Sequence, residues 1–188
     1  MTCIIGTKKI TVVDNFLPDY LFTKLSKYLL SNRIFWVYGK QKVYKEDDDL
    51  ENYQMVHSFQ NAIDAQQSND LPKLKFFMDK LNIQGLCRIK ANLEGYRGKQ
   101  QYPSVFHVDL EKEFIPTITN EGFVHKSINE MTTGIYYVNT CNGYTEFEDG
   151  TIVNSVGNRF VSFPANTKHR GVSQTDTKAR VVINFNYW

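Results

Sequence analysis

Cysteine is scarce in this sequence: three residues in 188, Cys3, Cys87 and Cys141, set far apart. A sparse, odd count excludes a secreted disulfide framework, and no two of them form the Cys-x-x-Cys knuckle of a zinc site. Charge of one sign is also lacking. Twenty-two Lys and Arg face 20 Asp and Glu, a net charge of +2. The sequence pI of 8.3 falls short of the value above about 9 expected of a nucleic-acid-binding domain. No apolar run approaches the ~20 residues of a membrane span. The N-terminus MTCIIGTKKITVVDN lacks the basic flank and apolar stretch of a signal peptide. Phosphate-binding loops, dinucleotide fingerprints, Gly-x-Ser-x-Gly and Asn-x-Ser/Thr acceptors are all absent. The expectation is a soluble cytoplasmic protein of one domain, with reduced thiols and no membrane association.

Aromatic residues are abundant: 13 Phe, 11 Tyr and 2 Trp. With many β-branched neighbours they favour sheet. Lys8 to Val13 alternates as a short strand. The stretch after Asp14 repeats apolar residues at helical spacing (Leu21, Phe22, Leu25, Tyr28, Leu29), with Pro18 suited to a first turn. A helix near 18–31 follows, then a strand over Phe35 to Tyr44. The acidic run Glu46 to Glu51 reads as a solvated loop. A second helix is expected over 71–81, where Asp70 and Pro72 supply a start signal.

From residue 83 the texture changes to short aromatic and β-branched segments separated by Gly, Asn and Asp. Strands are expected at Gly85–Leu93, Val105–Leu110, Thr133–Asn139, Thr145–Phe147, Thr151–Val156, Arg159–Phe163 and Ala179–Trp188. The segment 111–129 is long and poorly patterned, as lids and mobile loops are. The fold class is mainly β: a jelly roll over about 83–188, with helical support over about 1–82 on its outer face.

Four histidines are present, His57, His107, His125 and His169. In Phe106-His107-Val108-Asp109 the imidazole and the carboxylate stand at i and i+2. On a strand they would share one face, ~6.5 Å apart at Cα. His169 is the natural third ligand. Two His and one carboxylate form the facial triad of non-haem iron(II) oxygenases. The last strand would carry Arg180, Val182, Asn184 and Asn186 on one face, and Val181, Ile183, Phe185 and Tyr187 on the other. An Arg on a pocket-facing strand suits a carboxylate, which its planar fork binds through two hydrogen bonds. Tyr137 could add a hydrogen bond to the same carboxylate, or be a core tyrosine. Asn92, Tyr96, Tyr102 and Asn184 could also line the pocket.

Together FHVD, GIYYVNT, NGYTEFEDG, NRFVSFP, KHRG and RVVINFNYW resemble the iron(II)- and 2-oxoglutarate-dependent dioxygenases, in their prolyl-4-hydroxylase-like branch. The resemblance covers roughly residues 86 to 188. It implies a double-stranded β-helix core and iron(II) held by His107, Asp109 and His169. It implies 2-oxoglutarate bound through Arg180 and Tyr137, O2 as oxidant, and ascorbate as a possible addition. The implied reaction couples decarboxylation of 2-oxoglutarate to hydroxylation of a peptide residue, such as a prolyl, or of a small molecule. Two other readings stand beside it: a nucleic-acid demethylase of the same superfamily, and a non-catalytic jelly-roll binding or structural module. The sequence departs from the pattern in three places, one being a segment between Asp109 and the IYYVN strand longer than in compact prolyl hydroxylases. Asn142-Gly143-Tyr144-Thr145 replaces the usual Gly-Gly-x-Thr, and Val182 stands two places after Arg180.

Overall fold

The computed structural model describes residues 2–5, 9–39 and 53–188. The acidic run Glu46–Glu51 and residues 40–44 of the expected strand lie outside the described residues. The N-terminal portion forms β1 (Thr2–Ile5), β2 (Ile10–Val13), α1 (Asp19–Leu29), β3 (Val37–Gly39), β4 (Gln54–Asn61), β5 (Gln66–Gln67) and α2 (Lys75–Lys80). The remainder forms β6 (Gly85–Gly95), β7 (Phe114–Thr119), β8 (Gly122–Ser127), β9 (Thr132–Tyr137) and β10 (Tyr144–Phe147), followed by β11 (Ile152–Asn154), β12 (Arg159–Pro164), β13 (His169–Val172) and β14 (Ala179–Tyr187).

These strands make a jelly roll of two antiparallel sheets. The larger runs β1-β2-β12-β9-β14-β6-β4-β3, with β5 beside β4 and the hairpin β7–β8 beside β6. The smaller runs β11-β10-β13. Period-2 side-chain alternation decides what each face of the large sheet does. On β14, Val181, Ile183 and Phe185 have no exposed surface and join Leu25 and Leu29 of α1 and Phe77 of α2 in one core cluster. Phe77 stacks against Phe16 at 5.5 Å and meets Tyr136 at 4.8 Å and Phe185 at 4.9 Å. The helices therefore cover the outer face, as their apolar spacing anticipates. Alternate residues Arg180, Val182 and Asn184 turn the other way, into a cavity under the small sheet.

Helix α1 begins after Pro18, with Asp19 in its first turn and Lys27 in its last, both matched to the helix dipole. The expected second helix is divided: a 3-10 turn over Leu71–Leu74, with Pro72 inside it, leads into α2. The N-terminal portion is not only helical. β4 pairs along β6 from Met55↔Leu93 to Asn61↔Arg88, and β2 pairs with β12. Both cover strand edges that would otherwise expose unpaired backbone groups.

Two expectations fail. Val105–Leu110 is not a strand, and its apolar residues form no seam against the helices. The segment touches β13 only at the bridges Pro103↔Val172 and His107↔His169. Pro103 offers no N–H to a ladder, so pairing stays local. Val105 is half-exposed, while Leu110 packs in a separate cluster with Cys87, Ile115, Met131 and Ala165. Nor is 111–129 irregular. It holds β7 and β8, paired from Phe114↔Ser127 to Thr119↔Gly122. Ile115 and Thr117 face inward while Phe114, Ile118 and Phe123 face solvent, so the aromatic alternation runs opposite to that of a solvated hairpin.

Close packing on the helix side leaves no room at Gly134 of β9. A Cβ there would stand 2.4 Å from Cζ of Phe160. Phe160 is itself stacked on Phe16 at 4.7 Å, so it has little freedom to retreat. Gly134→Ala is expected to lower stability by about 1–3 kcal/mol, the usual cost of overpacking. Urea unfolding of wild type and variant measures it; an unchanged midpoint would show that Phe160 has space to move.

Candidate metal centre

His107, Asp109 and His169 converge. One ligand atom from each lies within 4.8 Å of the others. His107 and His169 are brought together by their backbones, which exchange a reciprocal pair of hydrogen bonds at 3.0 and 2.9 Å. Their rings stand 4.8 Å apart, centroid to centroid. Each imidazole donates its Nδ1–H to a carbonyl two residues upstream: His107 to Val105 at 3.0 Å, His169 to Thr167 at 3.1 Å. A carbonyl only accepts, so both rings are fixed as the tautomer with a bare Nε2 lone pair, the form that ligates a metal. His107 Nε2 lies 3.9 Å from Asp109 Oδ1.

Asp109 is oriented by residues distant in sequence. Asn186 Nδ2 donates to its Oδ2 at 3.1 Å, and Arg88 Nη2 stands 3.5 Å from its Oδ1. Arg88 Nε in turn donates to Asn186 Oδ1 at 3.0 Å. Burial would raise the Asp109 carboxyl, but Arg88, the two imidazoles and the Asn186 amide outweigh it and hold it well below the usual carboxylate range. Burial, helped by His107 and opposed by Asp109, lowers the pKa of His169. Carboxylate and neutral imidazole are the metal-binding states.

The three groups border a cavity of about 760 Å³ that reaches Arg180. Arg180 is buried. Its Nε donates to Ser155 Oγ at 2.8 Å and its Nη2 to the Tyr144 carbonyl at 3.3 Å. Its Nη1 makes no hydrogen bond within the described residues. Gly143 leaves space for this side chain, since a Cβ there would come within 2.8 Å of Arg180 Cδ and 2.9 Å of the Val172 carbonyl. The glycine that survives in Asn142-Gly143-Tyr144-Thr145 thus stands where the arginine needs it.

Tyr137 lies one layer back. It is fully buried, and its hydroxyl donates to Thr145 Oγ1 at 2.8 Å. Thr145, not Tyr137, borders the cavity. Burial raises the Tyr137 pKa, against the nearby Arg180 charge and the Thr145 hydrogen bond, so the phenol stays protonated. Asn92 and Asn184 do line the cavity, and each has a buried carboxamide oxygen without a hydrogen-bond partner. Tyr96 is half-exposed, and neither it nor Tyr102 is in the lining. His57 sits elsewhere, bonded to the Phe35 carbonyl at 2.9 Å.

No protein-family model and no curated protein sequence matches the chain. Solved structures do. A prolyl hydroxylase from Trichoplax adhaerens, in complex with a hypoxia-inducible factor peptide fragment, is 12% identical with a TM-score of 0.61, over 97% of this chain and 84% of that one. A Pseudomonas putida prolyl-4-hydroxylase is 14% identical with a TM-score of 0.55, over 96% of this chain and 93% of that one. HygX from Streptomyces hygroscopicus, with nickel, 2-oxoglutarate and hygromycin B bound, is 10% identical with a TM-score of 0.54, over 96% and 83%. The chain has the fold of the 2-oxoglutarate oxygenases.

Within this oxygenase fold the residues present suit a divalent metal: two imidazole lone pairs freed by their own backbone carbonyls, and a carboxylate held ionised. They suit a small dianion as well, with a buried arginine and two uncommitted carboxamides along one cavity. Sequence reasoning missed Arg88 and Lys90. The signal was there: Arg88, Lys90, Asn92 and Glu94 alternate on β6 with Cys87, Ile89, Ala91 and Leu93, and the polar set lines the cavity.

Proposed function

We propose that this chain is a non-haem iron(II) oxygenase that uses 2-oxoglutarate and O2 to hydroxylate its substrate. His107, Asp109 and His169 hold the metal, and Arg180 holds the distal carboxylate of 2-oxoglutarate through its free Nη1. The observation that carries the reading is the pairing of two tautomer-locked imidazoles with one carboxylate at the mouth of a cavity that contains a buried arginine. Bound iron and 2-oxoglutarate supply the oxidising chemistry for C–H hydroxylation.

The chain's own residues do the rest. Asn186 and Arg88 occupy Asp109 Oδ2 and flank Oδ1, which fixes how the carboxylate presents itself. Ser155 and the Tyr144 carbonyl hold the guanidinium in one orientation, so its remaining N–H groups are already aimed into the cavity. Tyr137 acts through Thr145, whose hydroxyl it positions. The apolar walls formed by Ile135, Val182 and Ile115 limit water in the cavity. Hydroxylation of a peptide residue, prolyl among them, is the finer reading. It draws support from the fold shared with two prolyl hydroxylases and from the exposed aromatic hairpin β7–β8 beside the cavity.

The test is conversion of 2-oxoglutarate to succinate, measured with and without O2 and ascorbate. Peptides, small molecules and nucleic acids are each offered as substrates. Oxygen-dependent succinate formation in wild type, absent in His107→Ala, is expected. Equal rates in the two proteins would refute the reading.

A further inference from the structure

Besides Arg88, Arg180 and the exposed Lys112, the cavity is lined by a partly buried cation that the metal and cosubstrate do not use. Lys90 lies on β6 directly across from Asn184 of β14 and Ser58 of β4, and its side chain lines the cavity. It makes no hydrogen bond or ion pair with any described residue. Arg88 and Asp109 act on it only as charges, and burial, then Arg88, against Asp109, pushes its pKa down to about 8. Asn92 and Asn184 flank it, each with a carboxamide oxygen buried and unbonded.

Position separates Lys90 from the cosubstrate site. The same-face pairs along β6 and β14 run Glu94↔Arg180, Asn92↔Val182, Lys90↔Asn184, Arg88↔Asn186. Four residues of strand, ~13 Å, divide Arg180 from Asn184. Asn186, the next residue on that face, already touches Asp109. The Lys90 ammonium therefore belongs to the metal end of the cavity, away from Arg180.

Charge makes the same point. Of the two carboxylates of 2-oxoglutarate, one goes to the metal and the other to Arg180. Asp109 is matched by Arg88 at 3.5 Å, and Glu94 by Arg97 at 4.0 Å. Arg180 has the distal carboxylate to face, Glu111 and Lys112 of the lining are exposed to solvent, and Lys90 makes no ion pair with any described residue. An ammonium drawn partly out of water is costly unless paired.

We infer that Lys90 receives an anionic group of the substrate, a carboxylate or a phosphate, beside the metal. This rests on the oxygenase reading and names the substrate class for the same site: a molecule or peptide with a negative charge close to the reacting carbon.

The experiment uses full-length protein loaded with manganese and saturating 2-oxoglutarate under anaerobic conditions, so that the triad and Arg180 are occupied. Acetate, inorganic phosphate and neutral acetamide are titrated in turn, followed by NMR. In wild type, acetate or phosphate should bind at least ten-fold tighter than acetamide, and whichever binds tighter identifies the group. The preference should persist in Lys90→Arg and vanish in Lys90→Met. Equal binding of acetate and acetamide, binding of neither anion, or a preference that survives in Lys90→Met would each overturn the inference. The affinity for 2-oxoglutarate is measured in the same samples and should agree within two-fold between wild type and Lys90→Met. A ten-fold loss in the variant would make Lys90 a cosubstrate residue, overturning the inference while the oxygenase reading stands. Failure of wild type to bind 2-oxoglutarate removes the oxygenase reading, and the inference with it.

Discussion

His107→Ala is expected to lose at least about 100-fold in affinity for iron(II) and for manganese. Removing a residue that merely hydrogen-bonds to a ligand typically costs roughly 10–100-fold, and deleting a ligand costs more. Among the described residues, the imidazole of His107 is one of three groups brought within 4.8 Å of one another, so the variant keeps two, too few for tight binding. The fold should survive, because the backbone hydrogen bonds between His107 and His169 do not need the ring. Asn186→Ala supplies the graded comparison. It removes the amide 3.1 Å from Asp109 Oδ2 and should weaken the metal by about ten-fold. Anaerobic metal titration measures both variants. Unchanged metal stoichiometry and affinity in His107→Ala would show that the metal sits elsewhere.

Arg180→Ala should weaken 2-oxoglutarate binding by roughly 30- to several-thousand-fold while leaving the metal almost untouched. Truncating one partner of a buried, hydrogen-bonded charge pair costs about 2–5 kcal/mol. The guanidinium meets the conditions for the upper part of that range. It is 4% exposed, it is braced by Ser155 and the Tyr144 carbonyl, and it approaches Gly143 so closely that no other residue fits there. Tyr137→Phe should cost only about 0.5–1.5 kcal/mol, because its hydroxyl reaches the cavity through Thr145. The order of the two effects separates a cosubstrate arginine from a structural one. If Arg180 only holds β10 and the Ser155 turn in place, its loss will lower thermal stability and leave 2-oxoglutarate affinity as it was.

Much of this was legible along the chain, and the parts that were not share a cause. β14 alternates apolar and polar residues from Ile183 to Tyr187, with Arg180 in phase with Asn184 and Asn186 and Val182 the one apolar residue on that face, so the helix side and the cavity side follow from sequence. The two His and one Asp that converge were likewise legible as residue types. The element carrying His107 and Asp109 was not. Spacing of i and i+2 suggested a strand, whereas one reciprocal backbone bridge to His169 suffices, and a bridge leaves no periodic trace. The hairpin β7–β8 was hidden because Phe114, Ile118 and Phe123 point to solvent, against the usual pattern. Arg88 and Asp109 are 21 residues apart; the pairing of β6 with β14 sets Arg88 beside Asn186, and the bridge from His107 to His169 brings the Asp109 segment to them. Tyr137 stood on the right face of the right strand. Its reach depends on the distance between the sheets, and Thr145 fills that gap.

The central claim is that the triad and Arg180 form one site, with the cosubstrate spanning both. Isothermal titration of 2-oxoglutarate into wild-type protein, once stripped of metal and once loaded with manganese without oxygen, tests it most directly. A shared site predicts one equivalent of 2-oxoglutarate bound tightly to the loaded protein and far more weakly to the stripped one. Equal affinity in the two forms, or no binding in either, would contradict it.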